Sequence, residues 1–455
     1  MSYNTKIIEP KVGILFLGRK RPGFVPEWGA KMEDKVRTCL DRMDFEIFEP
    51  AKKVIDDDSL RKADVMCKNA GVNVIVVLQA TMADGRLAPT LAQLWHDPIL
   101  LWATPEDQKT DMISACSLVG THNWASILRR MHHPFEVIYG DPDQKETLTQ
   151  FNDAVQIAFT VGRLHGSRLA VVGGQAPGYF AMSVDPFTMH QGLGTQPQHF
   201  SLLEFSDLVH SLTDKEVAED VRKVKAMGIP FKDADNDDLP MASRLYLAMR
   251  SFYERENFDM LCVRCWPEMS NHFGQWPYVG IARLSEEGFA ISCEGDADGA
   301  VCAFICENLN LGRCYLSDWL EHDQETITTW HTGIAPFSWA PEPGQPGGPQ
   351  IAKHFNNKKP LVIESTIKPD MPITIFRIWH CDAKYLMTAK HGITIEPKRH
   401  LMGTNGLARL TDCNPQEWFL DLCHAGMPHH ISICQDHHAA LLRQFAKTMN
   451  IQWID

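Results

Sequence analysis

At 455 residues, with composition near soluble averages, the chain is long enough for two or three cores of about 150 residues each, and no segment is polar or repetitive enough to stay unfolded. Its net charge of -13 repels phosphate backbones and anionic membranes, which argues against nucleic-acid and lipid-surface roles. The longest apolar stretches, such as 74–78, are strand-sized, and the first residues lack a basic region leading into an apolar core, so a soluble cytoplasmic protein is expected.

The first third alternates short apolar runs with helical patterns. Residues 12–17, 45–48, 72–78 and 98–103 read as strands in βαβ spacing, which predicts a parallel sheet covered on both faces. Gly18 and Gln79 then fall at the carboxyl ends of strands, where open α/β sheets place their ligands. A helical stretch over 145–164 leads to a second set that opens with a strand at 168–172. That strand runs into Gly173-Gly174-Gln175-Ala176-Pro177-Gly178, which lacks both the GxGxxG spacing and the lysine of a P-loop, so a plain turn is preferred to a phosphate cradle. Residues 239–253 look helical, and 258–263 look like a buried strand.

From about Leu311 the texture changes. A Pro/Gly-rich loop over 341–349 precedes β-like runs at 361–365 and 373–379, and the chain closes with a helix over 437–449 and a short strand at 451–454. The expected fold class is α/β: two parallel-sheet, Rossmann-like domains, 1–165 and 166–310, followed by a β-rich C-terminal domain, 311–455. The central domain carries the acids that matter below, and the last carries the histidines.

Thirteen cysteines, an odd number with Cys262, Cys302 and Cys306 in apolar runs, fit reduced buried thiols. Twenty histidines cluster late, which points to metal or proton chemistry if carboxylates lie nearby. In Cys265-Trp266-Pro267-Glu268, the proline ends a strand and projects Glu268 from its carboxyl end; the bland alternative is a solvated loop glutamate. Cys293-Glu294-Gly295-Asp296-Ala297-Asp298-Gly299 packs three acids ahead of an apolar helix. Capping and the helix dipole account for one or two of them, and the third is better explained if a cation neutralises the cluster. Trp330-His331-Thr332-Gly333-Ile334-Ala335-Pro336 sets a histidine before a turn, and Gly426-Met427-Pro428-His429-His430 sets two before a β-like run. Side chains alternate along a strand, so only one of His429 and His430 is expected to face a given site. Carboxylates with one or two histidines make a mixed set suited to Mn²⁺, with Mg²⁺ or Co²⁺ as alternatives.

In their order these motifs resemble the L-fucose/L-arabinose isomerase superfamily: a CWPE turn, a CExDxxG run, an H-x-G-x-x-P turn and a G-x-P-H-H followed by helix and strand, densest from about Phe258 onward. The resemblance implies a metal-dependent aldose–ketose isomerase working through a cis-enediol, assembled as a homo-oligomer (hexamer or tetramer), with Mn²⁺ held by two acids and one or two histidines. It matches Glu268 to the first acid and His430 to the C-terminal ligand. The second acid, catalytic as well as ligating, is Asp296 in the fucose-type pattern and Glu294 in the arabinose-type. His331 matches a ligand of the arabinose branch and stands behind the ligands in a fucose-like chain. His122, in Gly120-Thr121-His122-Asn123, resembles a substrate-contacting histidine, and Trp266 joins it as a substrate contact. Arg19, Lys20 and Arg21 suit an anionic substituent on the sugar, such as the sulfonate of a sulfo-sugar, or else form a solvated basic turn. The rival functions are a non-catalytic sugar-binding protein and a metal-dependent hydrolase or lyase on the same scaffold.

Overall fold

The structure is a computed structural model that describes residues 9–19 and 24–455. The chain divides into two compact units, one running to His165 and the other from Gly166 to Asp455. No helix among the described residues is long and apolar enough to cross a membrane.

The first unit is built on a sequence that is apolar without alternation. The strand Val74–Gln79 reads VIVVLQ and is buried at every position, as a parallel strand covered on both faces must be. Val74, Val76 and Leu78 join one apolar cluster while Ile75 and Val77 join another, so successive residues feed the two faces of one sheet. That sheet contains β1 (Lys11–Phe16), β2 (Glu46–Phe48), β3 (Val74–Gln79), β4 (Ile99–Ala103) and β5 (Phe135–Tyr139), all parallel, in the order β2-β1-β3-β4-β5. The edge strand β5 lies outside the expected elements, although its FEVIY run is rich in strand-forming residues; it alternates buried with exposed positions, unlike the continuously buried strands beside it.

The second unit opens with another parallel sheet in the order β7-β6-β8-β9: β6 (Arg168–Val172), β7 (Gln196–Phe200), β8 (Met260–Val263) and β9 (Ala290–Cys293). The β-rich part follows, with β10 (Tyr315–His322), β11 (Thr326–His331), β12 (Gln350–Lys353), β13 (Pro360–Thr366), β14 (Pro372–Cys381), β15 (Lys384–Ile395), β16 (Thr404–Leu410), β17 (His430–Gln435) and β18 (Gln452–Trp453). Six of these, in the order β16-β11-β10-β17-β14-β15, pair antiparallel with each neighbour, and β15 returns to β16, closing a barrel without a free edge. Its apolar filling includes Ile327, Ile375, Trp379, Ile431 and Ile433. The fold class is therefore the one expected, two parallel α/β sheets and then a β-rich part, with the second sheet and the barrel in a single compact unit. The buried helix Ala297–Asn308 joins them, packing on β8 and β9 and also on β14 and β17.

The Gly-rich loop after β6 acts as a packing surface. A Cβ on Gly295, whose φ is +73°, would fall 2.0 Å from the Gly174 carbonyl oxygen, and Ala176 N–H donates to the Glu294 carbonyl at 2.8 Å. Only glycine allows this approach in a left-handed conformation. Gly295→Ala should cost on the order of 2 kcal/mol or more, read from the denaturation midpoint; an unchanged midpoint would mean that the two loops separate without penalty.

Candidate active site

The carboxyl ends of β6, β8 and β9 and the ends of β10, β11 and β17 supply the residues. β9 ends at Cys293, after which Glu294 (φ +58°) and Gly295 turn the chain sharply in the left-handed region. Asp296 then caps the helix Ala297–Asn308, accepting the Gly299 N–H at 3.0 Å. On the barrel side Asp318 of β10 pairs in register with His430 of β17 and, across its other edge, with Trp330, which brings His331 alongside.

The three neighbouring acids have separate fates. Asp296 is fully buried; Arg377 Nη2 donates to its Oδ1 at 2.6 Å, and its Oδ2 lies 2.8 Å from His430 Nδ1. The cation that neutralises this buried carboxylate is thus the protein's own guanidinium. Burial alone would raise Asp296, but Arg377 and His430 outweigh it and hold the carboxyl well below its usual range. Asp298 accepts from Tyr385 Oη at 3.2 Å and faces His380 Nδ1 at 2.9 Å. Glu294 is the one of the three that faces the Nε2 atoms of the histidine pair: its Oε2 is buried without a hydrogen-bond partner, 3.5 Å from His429 Nε2 and 3.6 Å from His430 Nε2. Burial opposes ionisation here too, and the three imidazoles of His429, His430 and His331 more than offset it, so Glu294 is lowered.

His430 is fully buried, and desolvation would depress it, but Asp296 outweighs that and raises it. With Nδ1 committed to Asp296, Nε2 faces Glu294 and Asp318, the latter at 3.7 Å. A carboxylate on one ring nitrogen is the usual device for aiming the other at a metal ion. His429 Nε2 also lies 3.7 Å from Asp318 Oδ1. Both members of the histidine pair thus reach the site, contrary to the alternation argument, because β17 begins at His430 and His429 belongs to the preceding turn. His331 is buried, which pushes it down, with Nε2 3.2 Å from Cys293 Sγ and 3.4 Å from His430 Nε2. Among the described residues two groups of three could hold a metal ion: Glu294, His429 and His430, and Cys293, His331 and His430. The orphaned Glu294 oxygen and its mixed carboxylate–imidazole surroundings fit a divalent cation.

Glu294, Asp296, His331 and His430 are therefore brought together. Glu268 starts the short helix Glu268–His272 beyond β8, where Arg264 holds both of its carboxylate oxygens, and it joins neither group. Trp266 is half-exposed, its ring 6.4 Å from that of Tyr179, which lies 4.7 Å from His429. Arg19 and His122 are exposed residues of the first unit, and Lys20 and Arg21 lie outside the described residues. Sequence reasoning passed over Asp318, Arg377 and Tyr179. Arg377 had a signal, a charged residue inside the apolar run ITIFRIW; Asp318 had none apart from its register.

An α/β unit joined to a barrel, with carboxylates and imidazoles converging where they meet, is an arrangement for handling a small polar substrate beside a cation. No protein-family model matches the chain. Among curated proteins it is similar to the sulfoquinovose isomerase of Priestia aryabhattai, at 24% identity over 85% of this chain and 86% of the other. It is likewise similar to the sulfoquinovose isomerases of Alkalicoccus urumqiensis (24%, covering 73% and 74%) and of Clostridium sp. strain MSTE9 (25%, covering 83% and 84%).

Arg377→Met would strand a buried carboxylate, and a loss of about 3–5 kcal/mol is expected, with part recovered in the double variant Arg377→Met/Asp296→Asn. Chemical denaturation reads both; equal losses in the single and double variants would show that the two charges are not coupled.

Proposed function

We infer that this chain is an aldose–ketose isomerase acting on a sulfonated hexose of the sulfoquinovose kind, of the L-fucose/L-arabinose isomerase type. The observation that carries the reading is the buried, unpartnered Glu294 oxygen facing two imidazole nitrogens, in a chain similar to sulfoquinovose isomerases over most of its length. Glu294, His429 and His430 would hold Mn²⁺, or Mg²⁺ or Co²⁺ in its place, with Asp318 behind them. Bound there, the cation would supply Lewis acidity to the sugar.

The residues do the rest. Glu294 and Glu268, from the ends of adjacent strands, are the pair proposed to take the proton from C2 of the open-chain aldose and return one to C1 through the cis-enediol. Arg264, which donates to both carboxylate oxygens of Glu268, keeps it oriented until substrate arrives. Asp296, matched by the fucose-type pattern to the second acid, is assigned here to positioning: it accepts the Nδ1 proton of His430, and Arg377 keeps it charged. Trp266 and Tyr179 offer flat faces to the sugar carbons and help to exclude water. Arg19 is proposed to meet an anionic substituent, and His122 a substrate in a neighbouring subunit's site, both on the sequence reading alone. A cytoplasmic homo-oligomer, tetrameric or hexameric, completes the reading.

Metal-stripped protein should form a ketose of unchanged mass from sulfoquinovose only after Mn²⁺ is restored, and Glu294→Gln and Glu268→Gln should each lower kcat/KM by on the order of 10²–10⁴. Near-normal turnover by either variant would remove that residue from the chemistry, and absence of a ketose from every aldose in a panel would overturn the isomerase reading.

A further inference from the structure

The second donor group differs in kind from the first. Cys293 Sγ, His331 Nε2 and His430 Nε2 are all buried and all within 4.8 Å of one another, with 3.2 Å between the thiol and His331 and 3.4 Å between the two ring nitrogens. A tetrahedral ion with bonds of about 2.0–2.3 Å sets neighbouring donors about 3.3–3.6 Å apart. Two of the three separations are therefore near those of such a tetrahedron, and the third, between Cys293 and His430, is within 4.8 Å. Their chemistry, one sulfur and two nitrogens, selects a thiophilic ion, whereas a carboxylate with imidazoles suits manganese or magnesium.

The two groups share His430 Nε2, which has one lone pair, so an ion in one excludes an ion from the other. In the sulfur-containing group His430 Nδ1 faces Asp296 at 2.8 Å, as a ligating histidine requires, and His331 Nδ1 has a hydroxyl, Thr332 Oγ1, within reach at 3.0 Å. In the metal-free chain Thr332 N–H donates to His331 Nδ1 at 2.8 Å, leaving the ring proton on Nε2, toward Cys293 and His430. Coordination needs that proton on Nδ1, so the ring has to turn away from the Thr332 N–H, give up that bond and donate to Thr332 Oγ1 instead, while the Cys293 proton goes to solvent. The balance is one metal–thiolate bond formed and one proton lost per ion, with no change of oxidation state.

We propose that the site has a second, inhibitory coordination mode, in which Zn²⁺ is taken by Cys293, His331 and His430 and, by occupying His430, excludes the hard cation. The coordination stands on these three residues alone; only its inhibitory consequence rests on the isomerase reading.

Co²⁺ added to the metal-free full-length chain should give a near-ultraviolet thiolate-to-cobalt charge-transfer band and intense four-coordinate visible bands. Zn²⁺ should erase both with no further proton release, and Zn²⁺ added instead to the metal-free chain should release one proton per chain. Cys293→Ser should lose the charge-transfer band and weaken Zn²⁺ binding by more than about tenfold, while Mn²⁺-dependent turnover persists and becomes resistant to Zn²⁺. Glu294→Gln should keep the band, which separates failure of this proposal from failure of the isomerase reading. X-ray absorption of the Zn²⁺-loaded native chain needs no variant and should show a sulfur at about 2.3 Å. A shell of nitrogen and oxygen alone, or a cobalt spectrum unchanged by Cys293→Ser, would overturn the proposal.

Discussion

A guanidinium and a carboxylate, both removed from water, organise everything around them. Arg377 and Asp296 are each almost wholly buried, and such a pair is costly unless its remaining donors and acceptors are engaged; Arg377 Nε and Nη1 are buried without a hydrogen-bond partner, so the demand falls on the carboxylate. Asp296 meets that demand with the Gly299 N–H and the His430 ring, so one carboxylate caps the central helix, ties it to β14 and orients His430. The site is thus a by-product of satisfying a buried charge: once Nδ1 of His430 is committed, its other nitrogen is left facing Glu294, Asp318 and His331.

The acidic run 294–298 serves three ends because the backbone changes conformation within it. Glu294 sits in the left-handed region, Asp296 is extended at the cap, and Asp298 lies in the first helical turn. Two residues of helix rotate a side chain by about 200°, which is why Asp296 finds Arg377 and His430 while Asp298 finds His380 and Tyr385. The approach of Gly295 to the Gly174 carbonyl holds the turn that exposes Glu294, giving the Gly-rich loop a purpose unrelated to phosphate.

Two overlapping donor groups meeting at one imidazole make metal identity a matter of competition. The oxygen-containing group lies toward the half-exposed His429, and the sulfur-containing one is sealed among buried residues. On the coordination proposed above, such a centre would discriminate by the softness of the ion, since the same ring cannot serve both at once.

Much of this was legible in the residues themselves. Continuous apolar runs such as that of β3 announce strands buried on both faces, and the helix Lys145–Leu164 and the strand Arg168–Val172 follow local periodicity to the residue. The motif residues Glu294, Asp296, His331 and His430 do converge. Where expectation failed, the deciding contact was distant: Arg377 meets Asp296 across 81 positions and His430 meets it across 134. Local pattern carries the 2-residue and 3.6-residue periods that determine strand, helix and which face is apolar. Which of three acids stays free, which histidines stand together and which thiol lies beside them depend on barrel register and on pairing of buried charges, and those are energies of the assembled tertiary structure, absent from any short stretch of chain.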